Sequence, residues 1–179
     1  HLALIALALA ALGPMLGGYA IYLLCLAMIN VIAAIGLNLL IGNSGQISLC
    51  HSAFMAVGAY GSALMTQHFG LPFWAAIPAG AVLAGAAGAA VGAPARRLSG
   101  IYLALATLAF LQIVQIAIEE FADVTGGVRG MSVVKPQVFG NVLPPSLIFE
   151  IVLACCVAAI WTAANLLRSR IGREFDAVR

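Results

Sequence analysis

The chain has 179 residues, of which 64% are hydrophobic and 8% charged, with a mean hydropathy of +1.11 and a net charge of +2. A soluble domain carries about 25% charged residues, so this composition excludes an ordinary soluble enzyme and predicts an integral membrane protein. The small net charge gives no footing for a nucleic-acid partner.

A membrane span needs about 20 mostly apolar residues. Residues 2–12 fall short and read as a truncated span, and His1 opens abruptly inside an apolar run. No basic segment and cleavage site of a signal peptide precede it, so both ends of the chain read as cut. Residues 19–41 make a full uncharged span whose strongly polar breaks are Asn30 and Asn38. Residues 47–66 make a span with a polar start. At the junction, IGNSGQISLCHSAF (41–54) gathers Asn43, Ser44, Gln46, Ser48, His51 and Ser52 between two apolar runs, with Gly42 and Gly45 loosening the backbone.

Residues 73–95 form the next span. There Gly80, Ala84, Gly88 and Gly92 recur every fourth residue, a smooth stripe that lets another helix approach closely. The span is rich in small residues throughout, so the stripe also has a plain compositional explanation. Residues 101–122 are apolar until Glu119, and Gln112, Gln115 and Glu119 share one helical face. A polar stripe at membrane depth faces protein or water; this one either lines a solute path or ties helices together. Residues 123–145, with Gly126, Gly127, Gly130, Pro136, Pro144 and Pro145, read as a loop. Residues 147–167 form the last span.

The expectation is an all-α polytopic membrane bundle of about five to six spans with one Gly-broken helix, making a single transmembrane domain over residues 1–179. Cys25, Cys50, Cys155 and Cys156 lie in or beside apolar runs without zinc-type spacing and read as small packing residues.

The arginines set the orientation. Arg96 and Arg97 follow one span, and Arg168, Arg170, Arg173 and Arg179 follow the last. Such clusters face the cytoplasm, and the two spans between them keep parity. The 119–145 segment then lies outside. In a background without native thiols, single cysteines at Ser99 and Ser169 should react only with reagents that reach the cytoplasm. One at Ser132 should react from outside; labelling of Ser99 and Ser132 from the same side would overturn the orientation.

Several chemistries have no residues to carry them. The single lysine, Lys135, is followed by Pro136, so no G-x-x-x-x-G-K-[ST] phosphate loop exists. His51 and His68 lack metal-ligand spacing. No catalytic, cofactor-binding or metal residues are therefore expected. GNSG (42–45) matches the G-x-S-G around the nucleophile of rhomboid-type intramembrane proteases. A protease using Ser44 would need a histidine within hydrogen-bond reach, and neither His51 nor His68 is well placed. Ser44 reads instead as a polar turn residue.

GLNLLIGNSGQISLCHSAFMAVGAY (36–60) strongly resembles the permeases of bacterial branched-chain amino acid ABC importers, the LivM-type subunit. PARRLSGIYLALATLAF (94–110), TGGVRGM (125–131) and the closing GREFDAVR (172–179) are similar to further blocks of that family, in the family's order. Cys50 stands where the family has glycine, and Asn43-Ser44 replaces an aromatic-threonine pair. The resemblance implies a permease subunit without enzymatic activity of its own. It also implies a second permease subunit, cytoplasmic ATP-binding subunits that carry the ATP, and a periplasmic solute-binding protein. Related permeases carry urea or short amides, which is the alternative substrate class.

In such a permease a path for a zwitterion with an apolar side chain needs polar partners, small residues and few fixed charges. Ser44, Gln46, Ser48, His51, Gln112 and Gln115 are the expected path residues. The alternative is that the groups of the 42–52 break only satisfy one another at a helix junction. GREFDAVR looks like the opening of the segment that docks on the ATPase, with Arg170 and Arg173 as the docking residues.

Overall fold

A computed structural model describes residues 17–43, 48–95, 98, 100–133, 136–138 and 141–169. The elements in chain order are α1 (Gly18–Asn38), running into a π-turn (Leu39–Asn43), α2 (His51–Phe69), α3 (Phe73–Ala95) and α4 (Ile101–Glu120). The single turn α5 (Ala122–Thr125), a 3-10 turn (Gly127–Arg129), the two-residue strands β1 (Gln137–Val138) and β2 (Asn141–Val142), and α6 (Pro145–Arg168) complete them. Among the described residues, four helical stretches are long and apolar enough to cross a membrane: Gly18–Gly42, α3, α4 and α6. Helix α2, 19 residues long, is diluted by His51, Ser52, Ser62, Thr66 and Gln67. The protein is an all-α polytopic membrane protein.

The elements form two compact units, His1–Gly45 with Leu143–Arg179, and Gln46–Val142. In the first, Ile21 of α1 packs with Phe149 and Leu153 of α6, and Cys25, Met28 and Val157 close around them. Phe149 is 1% exposed. In lipid, packing of this kind holds helices by van der Waals contact rather than by expulsion of water. Pro145 opens α6, where its missing N–H costs no helical bond. Asn30, one of the polar breaks of the first span, turns its Nδ2 back to donate to the Leu26 carbonyl (2.8 Å). Gly42 makes room for the other: a Cβ there would lie 2.6 Å from Oδ1 of Asn38.

In the second unit α2 and α3 are packed closely over the glycine stripe. A Cβ on Gly80 would stand 2.5 Å from the Gly58 carbonyl oxygen and 2.9 Å from Cβ of Ser62. Gly58 faces Cβ of Ala84, and Gly88 faces the ring of Phe54. Gly92 meets nothing within 4 Å. The stripe is therefore a helix contact along Gly80, Ala84 and Gly88, and Gly92 lies beyond it. Ser62 and Thr66 donate to the Ala59 and Ser62 carbonyls of their own helix (2.9 and 3.0 Å), which satisfies hydroxyls that lipid could not.

The segment expected as a loop carries short local structure: α5, the 3-10 turn and the β1–β2 antiparallel ladder, in which Gln137 pairs with Val142 and Val138 with Asn141. Of the cysteines, Cys50 and Cys156 are buried, Cys25 packs beside the Ile21 cluster, and Cys155 is exposed. Cys155 thus does not pack within the described residues.

Candidate functional site

Of the break expected around Gly42–Gly45, Gly42 lies within the π-turn, which runs to Asn43, and Ser44 and Gly45 lie outside the described residues; α2 starts at His51. Residues 48–50 are non-helical and held against α4. The Leu49 N–H donates to Oγ1 of Thr107 (3.0 Å), and the Thr107 hydroxyl donates onward to the Ala104 carbonyl (2.9 Å). Thr107 is only 3% exposed. It is the seventh residue of the 20-residue α4, so the bond is made about 9 Å along that helix at 1.5 Å per residue. The freed backbone of the break is thus fastened well inside the length of an apolar helix.

Around that bond the chain is tightly placed. Ser48 Oγ lies 3.2 Å from Cys50 Sγ, and Cys50 is 2% exposed. Its φ of −91° is open to any residue, so the cysteine sits without backbone strain. His51, half-buried, opens α2, and its Nε2 is sealed from solvent with no hydrogen-bond partner among the described residues. Phe54 stacks at a tilt on Phe110 of α4, ring centres 5.5 Å apart, and holds the two helices in register.

The far end of α4 is closed by TGGVRGM. The Thr125 hydroxyl shares its proton between the Ile118 and Phe121 carbonyls (2.6 and 2.9 Å) and accepts from the Gly127 N–H (3.1 Å). The Ile118 carbonyl belongs to the last turn of α4, and the Phe121 carbonyl, just past its end, also accepts from the Val124 and Thr125 N–H groups (3.0 Å each). Gly126 and Gly127 both have positive φ (77° and 54°), and a Cβ on Gly127 would meet that of Ala122 at 2.9 Å. Two consecutive left-handed residues this crowded require glycine.

A cleft of about 330 Å³ runs between α2 and α4 up to this turn. Ala53, Ala56, Leu111, Val114 and Ile118 give it apolar walls, and Ser52, Gln115 and Glu119 give it polar groups. Neither Gln115 nor Glu119 has a hydrogen-bond or ion-pair partner among the described residues.

Of the expected path residues, Ser48 and His51 stand together at the start of α2, and Gln115 borders the cleft. Gln112 does not border it, although Gln112, Gln115 and Glu119 are all exposed on α4, so the three-residue polar face divides. Ser44, Gln46, Arg170 and Arg173 lie outside the described residues. Thr107 and Thr125 were not singled out by sequence reasoning; the signal was there, since each sits in a block of the family pattern.

Non-helical backbone at residues 48–50 is thus bonded to a neighbouring apolar helix, beside a cleft that mixes apolar walls with a few polar groups; such backbone is tolerated in a membrane protein where it borders protein or a wet cavity. Residues 19–179 match the family described as branched-chain amino acid transport system / permease component. The chain belongs to this family. It is 34% identical to the high-affinity branched-chain amino acid transport system permease protein LivM of Escherichia coli (strain K12), over 86% of this chain and 42% of that protein. It is 32% identical, with the same coverage, to the protein of that description from Salmonella typhimurium (strain LT2). The chain thus spans less than half the length of these curated relatives. No solved structure matches it.

Proposed function

We propose that the chain is part of a permease subunit of an ABC importer that moves branched-chain amino acids across the bacterial inner membrane. The observation that carries this reading is the family match over residues 19–179. ATP is hydrolysed on cytoplasmic partner subunits, a second permease subunit completes the membrane path, and a periplasmic binding protein delivers the solute. In this reading the chain serves transport, and the ATP chemistry belongs to the partner subunits. Arg170 and Arg173 meet the ATPase, and Ser44, Gln46, Ser48 and His51 border the path at the interrupted helix, with Gln115 further along α4. The His51 Nε2, buried and unpartnered among the described residues, supports that placement, because a buried polar atom without a partner is costly.

The test is ATP-driven uptake of labelled leucine into proteoliposomes that hold the full-length subunit in its complete complex. Uptake of urea in place of leucine would move the reading to the amide permeases. In the same assay Gln46→Leu and His51→Leu keep bulk and remove hydrogen bonding. Each is expected to lower leucine uptake about fivefold or more, with assembly intact. Wild-type uptake by both variants would leave the break a packing feature only.

A further inference from the structure

We propose that the α2–α4 cleft is the subsite that selects the solute, with the Glu119 carboxylate receiving its ammonium group and the alanines of α2 setting the size of side chain it accepts; this rests on the transport reading above.

The charge argument comes first. Glu119 is the first charged residue of the α4 span after eighteen uncharged ones, and no cation among the described residues pairs with it. Arg129, on the 3-10 turn whose Gly127 and Val128 border the cleft, makes no ion pair with it either. A carboxylate at the rim of an apolar cleft attracts a cation more strongly than it would in open water, because the low-dielectric walls focus its field. The wall chemistry then narrows which cation. Ala53, Ala56, Leu111, Val114 and Ile118 offer nothing but apolar surface, which suits a ligand that carries an aliphatic group beside its ammonium. Ser52 and Gln115 supply a hydroxyl and a carboxamide, both able to donate to a carboxylate. A carboxylate acceptor, two neutral donors and an apolar wall together match a zwitterionic amino acid with an aliphatic side chain. They match an uncharged amide less well, since Glu119 would then face no cation.

The geometry also explains the rigid turn. Gly127 and Val128 border the cleft, and Thr125 binds that turn to the end of α4 through three hydrogen bonds. Glu119 sits between Ile118 and Phe121, whose carbonyls accept from Thr125, so the same device fixes the rim and the backbone that carries the carboxylate.

The test uses the full-length subunit in its complete complex, in proteoliposomes. Glu119→Gln keeps shape and removes charge; leucine uptake should fall at least about tenfold, and Glu119→Asp should recover much of it. Ala56→Leu fills the cleft and should lower leucine uptake several-fold more than alanine uptake, a shift in selectivity that a general packing defect would not produce. Assembly of each variant is followed by co-purification of the partner subunits. Wild-type leucine uptake by an assembled Glu119→Gln complex, or an equal loss of leucine and alanine uptake in Ala56→Leu, would overturn the subsite. A wild-type complex that hydrolyses ATP yet moves no aliphatic amino acid would overturn the transport reading itself, and the subsite with it.

Discussion

Gly80→Leu is expected to unseat α3 from α2 and lower the stability of the full-length protein by about 3 kcal/mol, the upper part of the usual range for overpacking. The obstacle is backbone: the first added carbon would already stand 2.5 Å from the Gly58 carbonyl oxygen. A flexible side chain could swing away, but a carbonyl inside a helix cannot move without breaking its own bond. Gly92→Leu is the matched control. It lies on the same four-residue repeat, yet nothing stands within 4 Å of its would-be Cβ. Removing a helical glycine there should be neutral or stabilising by up to about 1 kcal/mol. Thermal unfolding in detergent reads both. Equal midpoints for the two variants would show that Gly80 does not carry the close approach.

The second large effect is expected at Thr107. Valine has nearly the same shape but can neither accept from Leu49 N–H nor donate to the Ala104 carbonyl. The Leu49 amide would be left without its acceptor beside an apolar helix, a loss of about 1–3 kcal/mol. Because the bond fastens the non-helical residues before His51, the cost falls on the interrupted segment rather than on the bundle as a whole. Leucine uptake by the Thr107→Val complex should drop about tenfold while the complex still assembles. Thr107→Ser keeps the hydroxyl and should retain most of the uptake. Loss of uptake in both variants alike would assign Thr107 to packing through its methyl group.

Much of this fold is legible before any coordinates. The uncharged runs place α3, α4 and α6 to within a few residues, because a chain this apolar has to form helices about 20 residues long to satisfy its backbone in lipid. The polar stretch at 41–54 marks an interruption for the same reason: amides, hydroxyls and glycines in an oily chain signal backbone that no longer bonds to itself. What composition and period leave open is which partner each group meets. The four-residue repeat in α3 includes Gly92 on equal terms with Gly80, and only the packing of α2 against α3 separates them. The face shared by Gln112, Gln115 and Glu119 looks uniform along one helix, whereas the cleft takes Gln115 and Glu119 and leaves Gln112 out.

The short sequence patterns determined the membrane class, the helix positions and the site of the break, since these depend on hydrophobicity and backbone freedom within one segment. The tertiary structure alone decided that Thr107 anchors Leu49 across 58 residues of chain and that Thr125 ties the TGG turn to the end of α4. It also decided that the α2–α4 cleft unites Ser52 with Glu119. A hydroxyl shows in the sequence what it can bond to, but which distant group fills that capacity is settled by the packing of helices, and no local pattern encodes it.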